Sequence, residues 1–256
     1  MIITLLLIAL APTFAVPSPT APIPLVVIDP GHGGKQTGAI GPCNLKEKDL
    51  TLEISTRVAR MLHTTGKVKV LLTRTTDRDV ELDHRSELAN QVGASLFLSI
   101  HANASKDSSR HGVETYFLSH TSSNRRIART VSRENRAFRK TGRKKGNTVS
   151  QILSRMEQNS NHQQSQQVAI HFEDHIKKSM SIKGRGVFQA PFMVLLKARM
   201  PALLVEMGFI TNTRECRRFK QDQYQEQMAQ ALTSGILSYL ASTPSSEKPA
   251  TASNNY

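Results

Sequence analysis

At three places along the chain an apolar run ends on small turn residues or a chemically active side chain. Val26–Gly34 reads VVIDPGHGG, Ser95–Asn103 reads SLFLSIHAN and Ala202–Phe209 reads ALLVEMGF. Continuous apolar runs of this length, without alternation, are the pattern of strands buried on both faces of a parallel sheet. Between them the period changes. Leu50, Ile54, Val58, Met61 and Leu62 recur at helical spacing over Leu45–Thr64, and Gly66 stops that helix. Lys67–Thr73 reads as a second strand, Arg74–Val80 as a charged loop, Leu82–Val92 as a helix and Val113–Leu118 as a further strand. Val187–Ala190 and Ala202–Val205 supply two more strands, and Gln223–Leu240 forms a closing amphipathic helix. Strands alternating with helices predict an α/β fold: an open, mainly parallel sheet flanked by helices. Ser119–Gly184 breaks the rhythm, has little strand character and is rich in Gln, which predicts a helical insertion at the sheet edge.

The ends of the chain look different from its middle. MIITLLLIALAPTFA is apolar and uncharged, is short for a membrane span, and closes on small residues. It predicts an export signal over residues 1–15, followed by a Pro-rich linker over 16–23 and a single domain over 24–240. No other run resembles a membrane-spanning helix. Residues 241–256, rich in Ser, Thr, Pro and Asn, read as a disordered tail. Two cysteines, Cys43 and Cys216, are too few for a disulfide framework or a cysteine-based zinc site. An exported protein can pair them, but sequence says nothing of their proximity. The formal net charge of +14 favours a polyanionic partner: nucleic acid, an anionic membrane surface or an anionic wall polymer.

The strand ends carry the candidate chemistry. In open α/β sheets, ligands bind at the carboxyl ends of the strands, where this pattern puts His32, His101 and Glu206. Two imidazoles and one carboxylate, with water in the fourth position, form a common catalytic zinc set. Asp29, Glu47 and Asp49 are the carboxylates near His32. Asp29 can instead brace the turn, and Glu47, opening a helix, can instead complement its dipole. Two further features compete. His171-Phe-Glu-Asp-His175 sets two histidines at i and i+4 on one helix face, in a Gln-rich segment that reads as solvated. Arg125–Lys145 holds ten Lys/Arg and one acid, Glu134. There Arg125, Arg129, Arg133, Arg136 and Lys140 share a helical face with no aromatic interleaving, which argues against single-stranded nucleic acid.

Taken together in order and spacing, several stretches resemble the zinc-dependent N-acetylmuramoyl-L-alanine amidases of the amidase-3 type. They are VVIDPGHGG, Lys46-Glu47-Lys48-Asp49-Leu50, Leu72-Thr73-Arg74, Arg85 with Ala89-Asn90, SIHAN and LLVEMGFITN, and the likeness runs from Pro24 to Leu240. The resemblance implies zinc held by His32, Glu47 and His101, with Glu206 as the catalytic carboxylate and Arg74 and Asn103 orienting substrate. It implies cleavage of the amide between the lactyl group of N-acetylmuramic acid and L-alanine of the peptidoglycan stem. It also implies a secreted or periplasmic protein acting in cell separation, whose insertion can block the site until an activator protein displaces it. In some members a glutamate on that helix caps the metal. The matching stretch here is Asn147–Ala169, with Ser160 at the capping position, Glu157 one turn earlier and His162 close by. On this reading the net charge needs no nucleic acid, because stem peptides and wall polymers are anionic. The alternatives are a zinc peptidase acting on another stem-peptide bond, a wall-binding protein without catalysis, and a nucleic-acid-binding protein.

Overall fold

In the computed structural model, which describes residues 22–136 and 160–242, one six-stranded sheet runs through the molecule in the order β2-β1-β3-β6-β4-β5. The strands are β1 (Leu25–Pro30), β2 (Lys69–Leu72), β3 (Leu96–Asn103), β4 (Val113–Leu118), β5 (Gly184–Ala190) and β6 (Ala202–Phe209). The helices are α1 (Glu47–Thr65), α2 (Leu82–Gln91), α3 (Arg125–Glu134), α4 (Ser160–Met180), α5 (Thr213–Phe219) and α6 (Asp222–Ser242). β2, β1, β3 and β6 are mutually parallel; β4 meets β6 antiparallel, and β5 runs parallel to β4. The sheet is therefore mainly parallel, as the unbroken apolar runs predict.

Alternate side chains of each strand feed two apolar layers. Val26, Ile28, Leu98, Ile100, Leu203 and Val205 pack with α1, α4 and α6. Val27, Phe97, Tyr116 and Leu204 pack with α2, α3 and the Phe192–Leu196 segment. Each fully buried Val, Leu or Ile contributes about 1.5–3 kcal/mol. The insertion is not an edge appendage. Its described residues supply one helix to each face, with Ile127 and Val131 of α3 in one layer and Val168, Ala169, Phe172 and Ile176 of α4 in the other. Cys43 and Cys216 form a disulfide with Cα atoms 6.0 Å apart, which ties the loop before α1 to α5.

The carboxyl end of β1 is held by buried charge. Asp29 is fully buried, with Oδ1 2.8 Å from Arg85 Nη1, and it accepts hydrogen bonds from Thr73 (2.6 Å) and Ser99 (2.7 Å). Arg85 also donates to the carbonyls of Pro30 (2.9 Å) and His32 (2.8 Å), so one guanidinium clamps both strand end and turn. Burial opposes ionisation of Asp29, but Arg85, Thr73 and Ser99 outweigh it and hold the carboxyl below its usual range. A depressed folded pKa gives stability that is complete above the unfolded value of about 3.9 and is lost as pH falls through the folded one. Asp29→Asn is expected to cost about 3–5 kcal/mol, the usual result of stranding one member of a buried ion pair. It should also flatten the acid limb of stability below about pH 4. Urea titrations across that range check both; an unchanged acid limb would contradict the assignment.

Candidate metal centre

His32 reaches the site because β1 stops at Pro30 and the chain turns sharply. His32 takes φ 61°, Gly33 127° and Gly34 55°, all left-handed values that favour glycine. A Cβ on Gly31 would collide with the His101 ring, so that position admits the imidazole only as glycine. The turn is tied down where Gly34 N donates to Asp77 Oδ1 (2.7 Å) and Lys48 Nζ to Gly34 O (2.9 Å). His101 lies near the end of β3, directly beside Glu206 of β6 in the parallel register. Glu47 opens α1, whose preceding residue Lys46 makes no side-chain cap. Its carboxylate instead accepts from Ala39 N (2.9 Å) and Ala102 N (3.1 Å), which fixes it in place.

Four ligand atoms converge. Glu47 Oε1 lies 3.0 Å from both His32 Nε2 and His101 Nδ1, and Glu134 Oε2 lies 3.1 Å and 3.2 Å from the same two nitrogens. A tetrahedral ion with zinc-like bonds of about 2.0–2.1 Å separates its ligands by roughly 3.3 Å, close to these edges. Despite this closeness, among the described residues neither His32 Nε2 nor Glu134 Oε2 meets a partner at hydrogen-bond geometry, and an ion between them would satisfy both. The set His32, Glu47, His101 and Glu134 can therefore hold a metal ion. Without one, protons take that part. Burial opposes charge on both imidazoles, but Glu47 and Glu134 outweigh it, lifting His32 to about 9 and His101 well above the usual range. Burial likewise opposes charge on Glu47, yet the histidines bring it down to about 2.

Glu134 is the residue that sequence reading passed over. It ends α3, pinned there by Asn135, which donates to Pro191 O (2.8 Å) and accepts from Met193 N (2.9 Å). A carboxylate in the last turn opposes the helix dipole, and it is the one acid in a run of ten bases. Both were available signals. Among the described residues, the carboxylate closing the set thus comes from α3. Glu157 lies outside the described residues, Ser160 begins α4, and the His162 ring packs against Phe117 with centroids 5.3 Å apart.

Other expected residues also find different places. Arg74 is fully buried and donates to the carbonyls of Pro30 (3.0 Å), Gly31 (2.9 Å) and Lys48 (2.8 Å). It braces the turn and is shut off from solvent in this arrangement. Asp29 is the brace described above, and Asp49 is exposed. His171 and His175 stack on α4, ring centroids 5.9 Å apart, on a surface groove lined by α4. Asn103, at the end of β3, has its Oδ1 3.2 Å from Arg133 Nη2.

Glu206 is fully buried, and among the described residues neither carboxylate oxygen has a hydrogen-bond partner; Arg133 Nη2 lies 3.6 Å from Oε1. Burial and the neighbouring Glu134 push its carboxyl well above the usual range, against the pull of Arg133 and His101. A buried carboxyl with a raised pKa next to a cluster able to hold a cation is an arrangement suited to hydrolysis.

The comparisons with known proteins narrow that class. The family Amidase_3, N-acetylmuramoyl-L-alanine amidase, matches residues 26–238, and this chain belongs to it. The chain is similar to the N-acetylmuramoyl-L-alanine amidase AmiA of Escherichia coli (strain K12), 36% identical over 219 residues, 84% of this chain and 75% of AmiA. It is also similar to the amidase LytC of Bacillus subtilis (strain 168), 33% identical over 214 residues, 84% of this chain but 35% of LytC. Among solved structures, the amidase AmiC2 of Nostoc punctiforme superposes with a TM-score of 0.63 at 34% identity, covering 86% of this chain and 99% of that one. The protein is an N-acetylmuramoyl-L-alanine amidase that hydrolyses peptidoglycan.

Raised imidazole pKa values give metal uptake a pH dependence. Below about 9 His32 carries a proton that a cation must displace, so affinity for zinc should rise with pH between about 6 and 9. Calorimetry in buffers of different ionisation enthalpy should detect protons released on zinc binding; a pH-independent affinity without proton release would contradict the assigned ligand set.

Proposed function

We propose that the amidase reaction of this chain depends on zinc held by His32, Glu47 and His101, with Glu206 as general base and then general acid. The observation that carries this reading is the convergence of two ring nitrogens and the Glu47 oxygen, 3.0 Å from each, beside a buried carboxylate with no hydrogen-bond partner among the described residues. Bound zinc supplies a Lewis acid and lowers the pKa of water from 15.7 to about 7. Glu206 removes a proton from the water that attacks the lactyl carbonyl and returns it to the alanine nitrogen as the C–N bond breaks. The products are the lactyl carboxylate and a stem peptide with a free amine. Burial, the largest cause raising the Glu206 pKa, makes its carboxylate a stronger base toward water and suits it to pass the proton on to nitrogen.

In the closed arrangement α3 competes with substrate. Glu134 fills the fourth ligand direction, and Arg133 lies against Glu206, so both groups that chemistry needs are engaged by one helix. On this reading the enzyme is silent until α3 withdraws. An activator protein would shift that balance by binding the displaced α3 more tightly than the docked one. Export to the cell envelope is the companion proposal, motivated by the apolar residues 1–15. Among the described residues no helix is long and apolar enough to cross a membrane.

Glu206→Gln should keep zinc and fold yet lose about 10²–10⁴-fold in turnover, because a carboxamide cannot take the proton. Mass spectrometry of digested peptidoglycan reads the bond cut as well as the rate. Free stem peptides beginning with alanine support the amidase, whereas cleavage within the stem would favour the peptidase. Glu134→Ala should raise turnover without any partner by about tenfold or more, since removing one member of a buried charge set costs the closed state ~3–5 kcal/mol. A folded, zinc-loaded Glu134→Ala protein no faster than its parent would remove α3 as a block.

A further inference from the structure

We infer that Glu114 is a positioning residue that turns the Asn103 carboxamide so that its Oδ1 accepts a hydrogen bond from the scissile amide N–H of the substrate. The inference rests on the site reading above and extends it to a residue which that reading leaves unused. Glu114 is fully buried on β4 and sits directly opposite Glu206 in the antiparallel β4–β6 pair. Two carboxylates in that relation repel each other, so Glu114 has to be held by donors. It accepts from Arg126 Nη1 (2.7 and 2.9 Å), Arg185 Nε (2.8 Å), Tyr116 OH (2.5 Å) and Asn103 Nδ2 (2.8 Å).

A carboxylate can only accept, so Asn103 must present its NH₂ to Glu114 and its oxygen away from it. The neighbours on the other side agree, because all are donors. Ala104 N lies 2.8 Å from Oδ1, Arg133 Nη2 3.2 Å and Thr130 Oγ1 3.4 Å. A carbonyl oxygen has two lone pairs. Ala104 takes one, and among the described residues the other is met only by Arg133 and Thr130, both on α3. Withdrawing α3 therefore exposes an oriented acceptor. Glu114 survives that movement in working order, since Asn103, Tyr116 and Arg185 belong to strands and only Arg126 leaves with the helix. Its charge on Nδ2 also polarises the carboxamide and makes Oδ1 a better acceptor.

One atom of α3 marks what the acceptor is for. Arg133 Nη2 contacts both Asn103 Oδ1 at 3.2 Å and Glu206 Oε1 at 3.6 Å. A nitrogen in that position is in reach of the group that returns a proton and of the group that accepts an N–H. The alanine nitrogen of the substrate needs both. It keeps its own hydrogen on Asn103 Oδ1 while it gains a second from Glu206 as the C–N bond breaks. Asn103 gains no proton, and the charge that develops on nitrogen faces an acceptor.

The test exchanges donor and acceptor, in the Glu134→Ala protein so that closure by α3 does not mask the rates. Asn103→Asp sets a second carboxylate against Glu114 and should lower kcat on a soluble muropeptide by on the order of tenfold to a hundredfold, with KM changing less. Adding Glu114→Gln reverses the pair, so that the Gln amide donates to the Asp and an oxygen still faces the site; most of the lost rate should return. Zinc content and melting temperature are measured on every protein. A folded, zinc-loaded Asn103→Asp protein within twofold of its parent overturns the inference, and so does failure of Glu114→Gln to rescue it. Should Asn103→Asp not fold, Glu114→Gln is compared with and without Asn103→Ala. A several-fold loss that vanishes in the Asn103→Ala background supports the inference, and an equal loss in both overturns it. Failure of the underlying reading looks different, as turnover in the starting protein that survives a chelator or Glu206→Gln.

Discussion

Like charges packed against one another in a dry sheet edge constrain this molecule more than any other feature. Glu47, Glu114, Glu134 and Glu206 are all buried at the ends of β3, β4 and β6 and the helices beside them. Such a group is tolerable only when a cation or several donors face it. Glu114 has two arginines and Glu134 has Arg133 Nε at 2.7 Å, while Glu47 has two backbone amides and the imidazoles. Among the described residues Glu206 alone of the four has no hydrogen bond, and burial with Glu134 nearby raises its pKa. The strain of the arrangement is thus concentrated on the residue best placed to move protons.

The same balance explains why α3 has the sequence it has. Its face toward the sheet carries Arg126, Ile127, Thr130, Val131, Arg133 and Glu134, so apolar and charged groups alternate where a core helix would be uniformly apolar. Ile127 and Val131 fill the layer against β4. Arg126 pairs with Glu114, Arg133 pairs with Glu134 and approaches Glu206 at 3.6 Å, and Glu134 answers the two imidazoles. On the proposed reading a metal and a substrate would replace these ions, giving a helix that docks firmly yet has competitors for its polar contacts.

Buried parallel strands write continuous apolar runs, which is why β1, β3 and β6 and the residues at their ends were legible from sequence. Strand direction is not local: Val113–Leu118 reads alike whether β4 pairs parallel or antiparallel, so its reversal beside β6 was hidden. Thr213–Phe219 is short, and its main signal was Asn212, whose side chain accepts from Arg214 N and Glu215 N. Arg74 shows a different limit. Composition marks an arginine as exposed, whereas this one spends its donors on backbone carbonyls. Glu134 was lost in its basic neighbourhood, where a charged face reads as solvated; in three dimensions that lone acid points inward. The pairing of Cys43 with Cys216 spans 173 residues, and sequence carries no record of such proximity.

Anomalous diffraction at the zinc edge, from crystals of the full chain loaded with one equivalent of zinc, tests the central claim most directly. The account predicts one peak about 2.0–2.1 Å from His32 Nε2, His101 Nδ1, Glu47 Oε1 and Glu134 Oε2. A principal peak at the other cluster of possible ligands, Glu81, Asp83 and His84, or no bound zinc at all, would contradict it.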